Sequence, residues 1–197
     1  MTRIALTSII AVGLTTAILA AAEPSRLDAA RLQAKIERIS KHAAGQKSAE
    51  LRTPITEAEL NSYLRYELGD NLPAGVKEPS ISLLGNNRVS GRAVVDLTQV
   101  AQSRKSSGML DPFNYLGGVF PLAVDGTLKT KAGVATFGLE SASISGVAVP
   151  AWMLQEIVSY YSRSATAPQG VSLDRPFALP AGIREIQLDR GQAIVVQ

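Results

Sequence analysis

The chain has 197 residues, of which 46% are hydrophobic and 19% are charged, and it contains no cysteine. A chain of this length suits one domain with a single hydrophobic core, and this balance of apolar and charged residues argues against disorder. The formal net charge of +3 is too small and too dispersed for a nucleic-acid-binding surface. We therefore expect a folded domain that is stabilised by packing alone and has no nucleic-acid partner.

Residues 1–22 have the pattern of a secretory signal peptide. Arg3 supplies the positive charge, Ile4–Leu19 is an uncharged stretch, and Ala20–Ala22 supplies the small residues that a signal peptidase requires. We expect cleavage before Glu23 and export to a bacterial periplasm, because exported eukaryotic domains more often carry disulfides. The alternative is an uncleaved N-terminal membrane anchor, since the uncharged stretch approaches the length that spans a bilayer.

Two amphipathic helices are predicted next. Within residues 23–46 apolar side chains recur at intervals of three and four, and basic side chains occupy the other faces. The basic side of this N-terminal helix is either simply solvated or lies on anionic lipid headgroups. Thr56 and Glu59 form a capping-box pattern that predicts a second helix over Glu57–Leu68.

The rest of the chain alternates in hydrophobicity with a period of two, which is typical of strands. Asn86–Asn87 and Ala132–Gly133 supply residues that tolerate the backbone of tight hairpin turns. Hairpins are predicted at 81–97, 120–145 and 183–196, and the strands of the second are unusually long. We expect residues 47–197 to form a single α+β domain, with a long curved antiparallel sheet of β-hairpins packed on or wrapping helices.

A third helix is predicted to begin at Val149–Pro150, where proline costs no helical hydrogen bond. Its bulky side chains, like the apolar side of the second helix, either fill a solid core or line a cavity for an apolar ligand. The candidate apolar lining residues are Leu60, Tyr63, Leu64, Trp152, Met153, Ile157, Tyr160 and Tyr161.

A candidate membrane-contact loop lies between the first two hairpins. Arg104 and Lys105 are suited to lipid phosphates, and Met109 and Leu110 are suited to the acyl boundary. The alternative is a loop that has no membrane contact.

The sequence offers little for catalysis or metal binding. His42 is the one histidine, no nucleophile or phosphate-binding motif occurs, and we predict no catalytic residue, metal site or cofactor. A hydrolase that needs only two carboxylates is not excluded, because Asp96, Asp125 and Glu140 lie on predicted strands.

The order of motifs resembles a known family. The capped helix begins within Ile55–Asn61, Gly146–Pro150 precedes the third helix, and Pro176–Ile183 precedes the last hairpin. This order, which covers most of residues 50 to 197, resembles the LmeA-like phospholipid-binding proteins of bacterial envelopes. It is similar, more distantly, to tubular lipid-binding modules in which a long curved sheet wraps a helix. The resemblance implies non-enzymatic binding of a phospholipid or another amphiphile and transfers no site residue.

The function expected from the sequence is therefore that of an exported, non-enzymatic binder of phospholipid or another apolar envelope ligand. A structural or protein-interaction module of the envelope with a dry core is the alternative, and a carboxylate-based hydrolase is the third candidate. The sequence identifies no protein partner.

Overall fold

A computed structural model describes residues 23–45, 49–99, 117–161, 169–170, 172–173 and 175–197. The predicted leader and the predicted membrane-contact loop lie outside these residues, and so do the side chains of Ile157, Tyr160 and Tyr161.

Three α-helices have both ends within the described residues: α1 (Arg26–Ala44), α2 (Glu57–Tyr66) and α3 (Ala151–Tyr161). A 3-10 turn at Gly69–Asn71 follows α2. The strands are β1 (Arg52–Thr56), β2 (Val76–Gly85), β3 (Arg88–Asp96), β4 (Val119–Lys131), β5 (Val134–Ile144), β6 (Val147–Ala148), β7 (Phe177–Ala178), β8 (Glu185–Asp189) and β9 (Gln192–Val196). All strand pairs are antiparallel, which confirms the α+β class.

Local side-chain bonds start the first two helices. The Ser25 hydroxyl accepts from the Asp28 amide at 3.1 Å and begins α1. The predicted capping box of α2 is present, since the Thr56 hydroxyl accepts from the Glu59 amide at 3.2 Å and the Glu59 carboxylate accepts from the Thr56 amide at 2.9 Å. These bonds satisfy amides that have no partner inside the helix.

The two longest hairpins turn where the sequence predicts. Asn86 and Asn87 have φ of 51° and 60°, and Ala132 and Gly133 have φ of 50° and 80°. Two successive residues in this left-handed region match the twist of the strands that they join. Strands β4 and β5 have 13 and 11 residues, about twice the common strand length.

The strands form two sheets, a division that the sequence did not predict. The larger has the order β2-β3-β4-β5-β6 with β7 paired to β5, and the smaller has the order β1-β9-β8. Their junction lies at the end of the large sheet that carries the two tight turns, hereafter the turn end. There the Gly191 amide donates to the Leu83 carbonyl at 2.9 Å, and the Thr130 hydroxyl bonds both backbone groups of Ile186 at 2.8 and 2.9 Å.

Helices α1 and α2 pack on the small sheet. Leu32 and Ile39 of α1 form a buried cluster with Ile55 and Val195. Ser62 of α2 is completely buried and its hydroxyl accepts from the Ser25 amide at 3.0 Å, so a small side chain lets the two helices approach closely. The apolar stripe of α1 is thus part of the domain core.

Candidate ligand-binding site

The large sheet has one apolar face and one mostly polar face. Residues paired in register lie on the same face and successive residues alternate, so the pairing of β2 to β5 assigns each side chain to a side. The apolar face carries Ile81, Leu83, Val89, Gly91, Ala93, Val95, Phe120, Leu122, Val124, Gly126, Leu128, Phe137, Leu139, Ala142 and Ile144. The other face carries Ser82, Arg88, Ser90, Arg92, Asp96, Asp125, Thr127, Lys129, Lys131, Thr136, Gly138, Ser141 and Ser143, together with the apolar residues Val94, Val119, Pro121, Ala123 and Val134.

Two separate clusters of buried side chains lie on the apolar face, and Ala135 and Ala142 are buried on it without belonging to either cluster. At the turn end, Leu83 is buried against Leu188 and Ala193 of the small sheet. Toward the opposite end, Val95 and Leu97 form a second cluster, against which Phe120 and Leu122 pack. The residues between the two clusters are small or short: Gly91, Ala93, Val124 and Ala142.

Among the described residues, no side chain comes within 4 Å of the position directly above Gly91. A methyl group added at Gly91 would have one neighbour within 4 Å among the described atoms, the Val124 carbonyl oxygen at 3.9 Å. Gly126 lies on the same face, two residues after Val124 on β4. A methyl group added there would collide with the Phe137 ring. An aromatic ring therefore fills the face over Gly126, whereas no described side chain fills the corresponding position over Gly91. We call Gly91, Ala93, Val124 and Ala142 the floor.

Helices α2 and α3 pack against different strands of this sheet. Helix α2 runs along the edge strand β2, where the Asn61 amide group bonds the Ile81 amide and carbonyl at 2.7 and 2.8 Å, and Glu57 accepts from the Leu83 amide at 2.7 Å. Helix α3 packs beside β5, where the Val149 amide donates to the Ala142 carbonyl at 2.8 Å and Leu154 is buried.

The structure distributes the predicted lining residues over several places. Leu60 and Tyr63 pack against the core clusters beside the small sheet, and Leu64 lines a surface cleft of about 620 Å³ between α2 and the start of β2. Met153 is half-buried, whereas Trp152 is 56% exposed. The sequence reasoning missed the floor at Gly91, although a glycine inside an alternating strand is a signal for a close approach to the backbone.

The carboxylates considered for hydrolysis are engaged with their neighbours. Hydrogen bonds from the Ser90 and Ser141 hydroxyls hold the pKa of Asp125 below its ordinary value. Glu140 accepts from the Thr127 hydroxyl at 2.9 Å and pairs with Arg88 at 3.0 Å. Asp96 accepts from the amides of two following residues, Thr98 and Gln99, at 3.1 and 3.2 Å.

The part of the chain that the structure describes contains no group of three side chains placed to hold a metal ion. Within the same ranges, no helix is both long enough and apolar enough to cross a bilayer. No family model matches the chain, and neither a curated protein nor a solved structure is significantly similar to it.

Proposed function

We propose that the protein is an exported, non-enzymatic binder of phospholipid or another apolar envelope ligand, and that the apolar part of the ligand lies over Gly91. The observation that carries the proposal is that, among the described residues, no side chain fills the position over Gly91 between two buried clusters on one face of the large sheet. In this proposal the sheet curves around its ligand and helices, as in the tubular modules that the sequence resembles.

The chemistry of the floor favours an apolar chain over a polar ligand. Gly91, Ala93, Val124 and Ala142 carry no polar side-chain atom, and the strand pairing occupies the backbone groups of the floor. Water above such a surface finds few partners, and apolar contact yields roughly 25 cal/mol for each Å² removed from water. Because the floor offers no hydrogen-bonding side chain, we expect the protein to bind acyl chains and to distinguish little between different acyl chains.

A matched pair of glycine variants tests this proposal. Gly91 lies on the apolar face, and Gly138 lies on the other face, where the described atoms within 4 Å of an added methyl group are two oxygens of Thr127 at 3.8 and 3.9 Å. Neither glycine has the left-handed backbone that strains larger residues. We expect wild-type protein from its native envelope to carry phospholipid in native mass spectrometry, Gly91→Leu to lose it, and Gly138→Leu to keep it.

Equal lipid content in both variants would contradict the assigned site. Wild-type protein that carries no lipid and takes up none from vesicles would contradict lipid binding itself and favour the module with a dry core. Export is tested separately by N-terminal sequencing of the envelope protein, for which we expect a chain that begins at Glu23; a retained leader would indicate the uncleaved anchor instead.

A further inference from the structure

Three large apolar side chains are exposed at the end of the large sheet opposite the turn end. Val119 at the start of β4 is 55% exposed, Val147 of β6 is 71% exposed, and Trp152 near the start of α3 is 56% exposed. The Ser145 amide donates to the Pro121 carbonyl at 2.8 Å, so the start of β4 lies beside the turn that leads into β6. We call Val119, Val147 and Trp152 the rim.

The chain segments that carry the rim contain no charge. Residues 117–124 and 141–155 include no aspartate, glutamate, lysine, arginine or histidine. The turn end also exposes Val134 and Leu84, but it differs in that Arg88, Lys129, Lys131 and Glu140 lie on its strands. Charged side chains do lie at this end on the neighbouring strands: Asp96 is in register with Val119, and Lys77 and Glu78 lie at the start of β2. The segments that carry the rim can nevertheless leave water without burying a charged side chain of their own, a step that would otherwise be costly.

The exposed side chains of the rim point to both sides of the sheet. Val119 is in register with Asp96 on the polar face, whereas Val147 is in register with Ile144 on the apolar face. A protein that docked on one face would cover one of these valines, but a bilayer surrounds an inserted edge on both sides. Tryptophan is also the side chain most typical of the membrane interface, because its ring is apolar and its N–H is polar.

From this arrangement we propose that the rim inserts into the interfacial region of a phospholipid bilayer. This membrane-docking surface is separate from the ligand floor at Gly91 and goes beyond the proposed function. The predicted membrane-contact loop is joined to the same end of the sheet, since the Leu97 amide donates to the Gly118 carbonyl at 2.9 Å and the Gly118 amide to the Thr98 hydroxyl at 3.1 Å.

The chain provides its own reporter, because Trp152 is its one tryptophan. With vesicles of phosphatidylethanolamine and phosphatidylglycerol, we expect the emission of Trp152 to shift to shorter wavelength and the protein to float with the vesicles. Val147→Asp should weaken flotation on the order of tenfold, the effect of withdrawing one large apolar side chain from the membrane. Leu27→Asp is the matched control, because Leu27 on α1 is 62% exposed, and it should float like the wild type.

Several outcomes would overturn this proposal. These are an unshifted emission with vesicles present, an equal loss of flotation in the two variants, or a wild-type dimer in sedimentation whose emission is already shifted without vesicles. The last result would assign the rim to a second copy of the chain. Unchanged urea midpoints for both variants establish that the comparison is made between folded proteins.

The same assay separates the two proposals. Gly91→Leu leaves the rim intact, so it should float normally while carrying no lipid. Wild-type protein that docks but never carries lipid refutes the proposed function alone, and wild-type protein that carries lipid but never floats refutes the docking surface alone.

Discussion

The carboxylate of Glu59 joins α1 to the start of α2, and its removal should be costly. Lys35 Nζ lies 2.7 Å from each carboxylate oxygen and also donates to the Pro54 carbonyl at 2.7 Å. The Thr56 amide supplies a further bond at 2.9 Å. Burial raises the pKa of Glu59, but the bonds from Lys35 and Thr56 outweigh burial and leave the pKa below its ordinary value of 4.5.

Glu59→Gln keeps the shape of the side chain and removes its charge, so Lys35 loses its counter-charge. Removing one partner of a buried ion pair costs about 3–5 kcal/mol. The side chain of Glu59 is 7% exposed, but that of Lys35 is 27% exposed and recovers part of its hydration. We therefore expect the free energy of unfolding to fall by about 2–3 kcal/mol at neutral pH.

The pH dependence shows whether charge is the cause. Because the pKa of Glu59 is lower in the folded state, the unfolded chain takes up the proton more readily as the pH falls. The stabilisation is therefore complete above the ordinary pKa of 4.5 and is lost as the pH drops through the lower folded pKa. In urea denaturation, the difference between wild type and Glu59→Gln should narrow below this pH.

Glu67→Gln serves as the control, because Glu67 is an exposed acid at the C-terminal end of α2. It should change the urea midpoint little at any pH. A Glu59→Gln protein as stable as the wild type at neutral pH would refute the reasoning. So would a difference that stays constant as the pH falls, since such a loss could not come from the charge.

Two further substitutions test the packing by urea denaturation. Thr53 is 2% exposed and its hydroxyl has no hydrogen-bond partner among the described residues. Thr53→Val should therefore raise the free energy of unfolding by about 1 kcal/mol. A lower free energy of unfolding in the variant would indicate that the hydroxyl has a partner. A methyl group on Gly126 would collide with the Phe137 ring, so Gly126→Ala should lower the free energy of unfolding by about 1–3 kcal/mol. An unchanged urea midpoint would contradict this packing.

The elements that the sequence predicted have local causes. The capping box of Thr56 and Glu59 and the turn at Asn86–Asn87 act within a few residues, so each can be recognised without knowledge of the rest of the fold. Strand β1 was not predicted, because it is short and contains Pro54. It forms by pairing with β9, which lies near the other end of the chain. Proline is tolerated there because β1 is an edge strand.

The candidate site was harder to predict because it depends on how two sheets meet. The helical periodicity correctly indicated that Leu60 is on an apolar side of α2, but Leu60 packs beside the small sheet, which the sequence did not reveal. The sequence signals the proposed floor only through the glycine itself, because a glycine inside an alternating strand indicates a close approach to the backbone but does not say what lies above it. Whether such a position is filled, as Gly126 is by Phe137, depends on register across β4 and β5.

If both proposals hold, a conformational step separates docking on the membrane from uptake of the lipid. The small sheet covers Leu83 at the turn end of the apolar face, so under both proposals a ligand from the membrane would reach Gly91 from the rim. The cluster of Val95 and Leu97 lies across that path and is buried at 5% and 4% exposure. Phe120 and Leu122 pack against this cluster and are half-buried, so we expect their side chains to move aside when a ligand passes. Docking at the rim should accordingly be faster than lipid uptake, because loading alone requires the cluster to separate.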